Sequence, residues 1–295
     1  MWRRSFWKSC LVFGVYEAVN SIPMRTPEWI QLVVVSLLVV AAQLRRLERD
    51  RQLRLALIAL VAIAAISAVK FSEHWISPYH ASIVWDWMPG ALMLIPYWQL
   101  GQLFTNTDRT TEARLATFDR AFFDWLGVKP ADTRIGGIIS TYLELTYFLV
   151  YPLVPLGVVT LYKIGLRSAV DFYWVVVLSG TYLCYGSTLA IRARPPRMLL
   201  GYERFQLPNT PVRGLNREIL DRASIQAITC PSAHVASALA AALVLVYLQP
   251  WIGLLFLWAA LSIVVATIVE GYHYVVDVLS AVLLAVLVFA IVCFI

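Results

Sequence analysis

His273 and Asp277 stand four residues apart in the stretch IVEGYHYVVDVLSA, a spacing that puts both on one face of a helix. There the carboxylate can accept a hydrogen bond from one imidazole nitrogen, fix the tautomer and leave the other nitrogen basic. That is how a nucleophile or a general base is prepared. Eighteen uncharged residues follow Asp277, so it sits at or inside a membrane edge, where an ionisable group is costly and is either functional or paired. The plainer alternative is a His–Asp pair that merely satisfies itself at a helix end.

Upstream, ITCPSAHVAS sets His234 at the mouth of a long apolar run. Pro231 restricts the backbone and Ser232 is a good N-cap, so the positive end of a helix and its unpaired N–H groups point outward there. The result is an anion pocket with a histidine beside it; the bland alternative is an ordinary cap followed by an interfacial histidine. Before it, IRARPPRML carries Arg192, Arg194 and Arg197 around two prolines. Such guanidiniums make a fork-shaped phosphate site, or else only a basic loop flanking a helix.

The elements that must position these groups are membrane helices. The sequence is 60% hydrophobic and 14% charged, with a mean hydropathy of +0.71, far more apolar than a soluble domain. Runs that can cross a bilayer cover 27–44, 55–69, 82–104, 138–161, 172–191, 235–248, 251–269 and 275–295, of which 55–69 and 235–248 are short. Seven or eight spanning helices are expected. Residues 1–80 read as an N-terminal membrane segment, with an interfacial helix in MWRRSFWKSCLVFGVYEAVN and two spans, and residues 81–295 as the catalytic domain. In DRTTEARLATFDRAFFDWLG, Leu115, Phe118, Ala121, Phe122 and Trp125 recur at helical spacing, which predicts a helix lying in the membrane surface. Cys10, Cys184, Cys230 and Cys293 are too scattered for a disulfide framework or a metal knuckle.

The order of the three clusters, basic loop, then Pro-Ser-x-His, then His-x-x-x-Asp one hairpin later, resembles the phosphatidic acid phosphatase type 2 superfamily over Asp108 to Ile295. Within it, PSAHVASALAAALV and VEGYHYVVDVLSA are similar to the branch of inositol phosphorylceramide synthases and their bacterial relatives. The resemblance implies an all-α, polytopic bundle with a six-helix core and extra N-terminal helices. It implies a metal-independent lipid phosphatase or phosphotransferase that needs no cofactor. Its substrate is then a lipid phosphate, with water or an alcohol as acceptor. By this resemblance His273 is the nucleophile, Asp277 orients it and His234 protonates the leaving oxygen. Ser232 belongs to the phosphate cradle, and Arg194 matches the arginine of the Arg-Pro pair.

Two departures qualify the match. Ser187 and Thr267 stand where the superfamily usually has Lys and Arg, so Arg192 or Arg197 must substitute. Glu270, three residues before the nucleophile, repels phosphate unless an arginine pairs with it; it is also a candidate for selecting a substrate hydroxyl. These neutral residues are the best support for the alternative, a non-catalytic lipid-phosphate binder or transporter on the same fold. Glu270-x-x-His273 is half of a di-iron motif, but the sequence has no second copy, and no metal site is expected.

The net charge of +6 suits anionic lipid headgroups and calls for no nucleic acid. Sidedness is contested. The arginines at 45, 46, 49, 51 and 54 form a positive-inside signal that places the catalytic loops in the cytoplasm, whereas the resemblance implies the opposite face. One miscounted span would reconcile them, and the expectation adopted is a catalytic face away from the cytoplasm.

Overall fold

A computed structural model describes residues 24–200, 202, 205–225 and 227–294; the expected N-terminal interfacial helix lies outside them. The described chain is an all-α bundle without a β-strand. Four helices are long and apolar enough to span a membrane: α1 (Thr26–Leu44), α2 (Arg49–Ser72), α11 (Pro250–Val269) and α12 (Val275–Phe294). They make it an integral membrane protein. The marginal run at 55–69 is extended on both sides by polar residues into the 24 residues of α2.

Two expected spans are each broken into two helices. The run 82–104 forms α3 (Pro78–Leu92) and α4 (Leu94–Leu103), and 138–161 forms α6 (Gly137–Phe148) and α7 (Val150–Lys163), which meet at 58°. In each case the break follows a residue whose carbonyl lies four before a proline: Leu92 before Pro96, and Phe148 before Pro152. A proline has no N–H for that carbonyl and its ring clashes with it. Taken as one span, α6 and α7 make a fifth.

The expected runs at 172–191 and 235–248 form helices that fall short of that apolarity or length, and these innermost helices are shielded from lipid. α8 (Val170–Thr188) buries twelve of its nineteen residues and α10 (Ala233–Leu248) eleven of sixteen. A helix wrapped by protein can carry Tyr, Thr and Ser, as α8 does, or stop at sixteen residues, as α10 does. The two form the centre of one apolar cluster that also takes in Leu38 and Ala42 of α1 and Leu55 of α2. α10 and α11 are a tight hairpin turning at Gln249–Pro250, and they approach so closely that a Cβ on Gly253 would lie 2.2 Å from the Val246 nitrogen.

Outside the bundle lie α5 (Arg109–Trp125) and α9 (Pro211–Ala223). Asp108 caps α5 through the Thr110 N–H at 2.9 Å. Phe118 and Trp125 of its apolar stripe are exposed, while its buried face carries Glu112, Asp119 and Phe123.

Candidate active site

Three segments meet at one end of the bundle: the loop after α8, the start of α10 and the turn between α11 and α12. Backbone hydrogen bonds stitch them, Ile228 N–H to Ala193 O at 3.1 Å, Arg197 N–H to Gly271 O at 2.9 Å and Ser232 N–H to Asp277 O at 3.0 Å. The three motifs are therefore one site.

The turn is set by Gly271, whose φ of 70° is open to glycine at little cost. Tyr272 N–H returns to Thr267 O at 3.0 Å and Gly271 N–H to Ile268 O at 3.1 Å, the paired bonds of a glycine-terminated helix end. His273 N–H shares the Thr267 carbonyl at 3.2 Å. The spacing of His273 and Asp277 predicts one helix face, but α12 starts only at Val275, so His273 precedes the helix. The pair meets because Asp277 reaches back, as acidic third residues of helices do: its Oδ2 accepts the Tyr274 N–H at 3.2 Å and lies 3.4 Å from His273 Nδ1.

Ser232 caps α10, its Oγ accepting the Val235 N–H at 3.5 Å, and Thr229 Oγ1 takes the Ala233 N–H at 2.9 Å. Of the donors expected to cradle phosphate, the His234 N–H is then the one without a partner among the described residues. The His234 ring lies 6.1 Å from that of His273, centroid to centroid, and its buried Nδ1 is unpartnered. Tyr147 and Tyr151 flank it at 5.8 and 6.0 Å. The two imidazoles and the Asp277 carboxylate are thus brought to one place.

A family model of the PAP2 superfamily matches residues 114–291, which take in every one of these groups and more than half of the chain. The chain belongs to the PAP2 superfamily. Members are generally phosphatases or phosphotransferases. Neither a curated protein nor a solved structure matches the chain.

The arginines of this PAP2 chain divide. Arg197 stands beside the histidines, its guanidinium 5.4 Å over the Tyr272 ring. Arg194 is instead held by Glu112 of α5, giving it three hydrogen bonds: backbone N–H at 3.0 Å, Nε at 2.9 Å and Nη2 at 3.0 Å. Arg192 is exposed, and its carbonyl accepts the Asp108 N–H at 2.8 Å. Ser187 and Thr267 serve the backbone. Ser187 Oγ donates to Cys230 O at 2.5 Å, tying the Pro-Ser-x-His loop to α8, and Thr267 Oγ1 donates to Ile263 O at 2.6 Å.

Glu270 has the arginine that the sequence analysis required, but a distant one. Arg213 of α9 donates to it at 2.5 Å and pairs with Glu144 of α6 at 3.4 Å. Glu144 also accepts from Asn216 at 2.5 Å and Tyr272 OH at 2.8 Å. Tyr272 stacks on Tyr147 with centroids 3.8 Å apart, which joins this buried polar cluster to the His234 wall. Burial and the neighbouring Glu144 push the Glu270 carboxyl up to about 8, with Arg213 opposing.

Glu144, Arg213, Asn216 and Tyr272 escaped the sequence analysis. Two signals were there: Glu144 is an ionisable residue inside an apolar run, and Arg213 and Asn216 share one face of a helix opened by Thr210-Pro211.

Proposed function

We propose that this PAP2 protein is a lipid-phosphate phosphatase or phosphotransferase that works through a phosphohistidine on His273. The observation that carries the reading is the pair of imidazoles 6.1 Å apart, one backed by a buried carboxylate. Asp277 holds the His273 Nδ1–H, which leaves Nε2 to attack phosphorus in line. The P–O ester bond breaks as P–N forms, and His234 gives a proton to the departing alcohol oxygen. In the second half, His234 takes a proton from water or an alcohol, that oxygen attacks phosphorus, and the P–N bond breaks to restore His273.

Arg197, the Ser232 loop and the His234 N–H hold the phosphoryl oxygens, with Arg194, paired with Glu112, fixing the loop that carries Arg197, and Arg192 at its outer edge. No metal enters this scheme. Glu270 selects a substrate hydroxyl in it, from a carboxyl that burial and Glu144 raise to about 8. This fits the inositol phosphorylceramide synthase-like branch and transfer to an alcohol.

We place the catalytic face away from the cytoplasm. The basic hairpin lies at the same end of the bundle, where Arg45 donates to Leu189 O and Arg51 donates to Gln102 O at 3.1 Å, so a miscounted span does not reconcile the two arguments. Those arginines serve helix ends, which weakens their vote on sidedness.

The test is purified protein in detergent with labelled lipid phosphates and EDTA, with and without alcohol acceptors. Label should stay on the protein after an alkaline quench, and His273→Ala should lose both labelling and turnover. Activity that EDTA removes would sink the mechanism.

A further inference from the structure

We infer that Glu112 and Asp119 of the surface helix α5 are positioning residues that brace the catalytic segments from outside; the inference rests on the phosphohistidine reading above. Seven residues apart, they fall on the same, buried face of α5. Asp119 Oδ1 accepts the N–H of Val275, the first residue of α12, at 2.9 Å, and its Oδ2 accepts from Tyr202 OH. Glu112 holds the backbone and side chain of Arg194. One helix thus grips both the nucleophile's helix and the arginine loop.

The Val275 contact matters because of what it completes. The first N–H groups of a helix have no partner within it. At the start of α12 the Tyr274 N–H goes to Asp277, and the Val275 N–H goes to a residue 156 positions away. A carboxylate is also well placed against a helix N-terminus. His273 lies two residues before Val275, so a shift of this terminus moves the nucleophile and its orienting Asp277 together. Through Arg194, Glu112 fixes the segment that ends with Arg197 N–H on Gly271 O, two residues before His273 on the other side.

Packing alone does not fasten α5. A cavity of about 630 Å³ lies between it and the 194–202 segment, lined by Glu112, Asp119 and Arg194 among others. Its apolar contacts include Leu115 and Ala116 on the cluster of Ala193, Ile228, Cys230 and Tyr274, and Phe123 on Phe205 further along. The two carboxylates are what set the register between helix and site. A misplacement of about 1 Å at a reacting group costs on the order of 10²-fold in rate.

The experiment measures kcat and KM for phosphate release from phosphatidic acid in mixed micelles, on full-length protein that elutes as the wild type does. Asp119→Ala should lower kcat by about tenfold or more with KM within about threefold, the split expected of a displaced nucleophile. Asp119→Asn keeps an oxygen for the Val275 N–H and should stay within about threefold of the wild type. Asp124→Ala, on the exposed face of the same helix, should leave both constants unchanged. Wild-type kcat in Asp119→Ala, equal losses in Ala and Asn, or a matching loss in Asp124→Ala would each overturn the inference. If Asp119→Ala does not purify, Glu112→Ala carries the same test, with a wild-type kcat counting against it. An inactive wild type would instead strike the phosphohistidine reading itself, before any variant is compared.

Discussion

One oxygen of Asp277 serves two neighbours, lying 3.4 Å from His273 Nδ1 and accepting the Tyr274 N–H at 3.2 Å. The carboxylate therefore faces the His273 imidazole and caps the helix that follows it at once. Asp277→Asn keeps an oxygen for the cap but loses the charge that steadies the imidazole. We expect kcat to fall by about 10²–10⁴-fold with a nearly unchanged melting temperature, read from turnover and thermal unfolding of the same preparation.

Arg197 reaches the site by two routes, and only one is its side chain. Its N–H on Gly271 O survives substitution, so Arg197→Ala should leave the turn in place and remove the guanidinium over Tyr272. Loss of a charge-assisted phosphate contact of about 1.5–3 kcal/mol predicts a fall of roughly 10- to 100-fold in kcat/KM. Arg197→Lys should recover part of it. Steady-state kinetics on a short-chain lipid phosphate measures this.

The Glu270 carboxyl, pushed up to about 8 by burial and by Glu144, gives the site an alkaline limit. Above that pH a second negative charge appears three residues from His273, so the rate should fall as pH rises through about 8, and Glu270→Gln should extend activity to higher pH. Stability follows the same sign. A carboxyl whose folded value is raised from 4.5 to about 8 favours the folded state fully below its unfolded value and loses that contribution as pH climbs towards 8. The melting temperature in detergent should drop over that window in the wild type and less in Glu270→Gln.

Gly253 predicts a purely structural failure. A methyl there would sit 2.2 Å from Val246 N and 2.5 Å from Leu245 C, backbone atoms that cannot swing aside. Gly253→Ala should force α10 and α11 apart at a cost of about 1–3 kcal/mol or more and lower the melting temperature. Gly180→Ala, with nothing within 4 Å of its new methyl, should be tolerated.

Much of the bundle was legible in the chain because length and apolarity are local properties: α1, α11 and α12 fall almost where the hydrophobic runs lie. The inner helices were harder. α8 and α10 are defined by what surrounds them, and a hydropathy run carries no information on whether its neighbour is lipid or protein. The helix breaks after Leu92 and Phe148 were written in Pro96 and Pro152, a signal of the same local kind.

By itself the sequence determined the superfamily: two histidines, one aspartate and a basic loop stand in the order that resembles PAP2 proteins, since residue types and their order are fixed by covalent structure. It also required an arginine for Glu270 without being able to name it. Only the tertiary structure decided that the arginine is Arg213, that Arg197 rather than Arg194 stands by the histidines, and that Asp119 caps α12. Each of those partners lies 57 or more residues from the group it serves, or depends on which way a short loop turns. Such pairings arise when buried donors and charges must find partners out of water, and that demand exists only once helices distant in the chain have packed together.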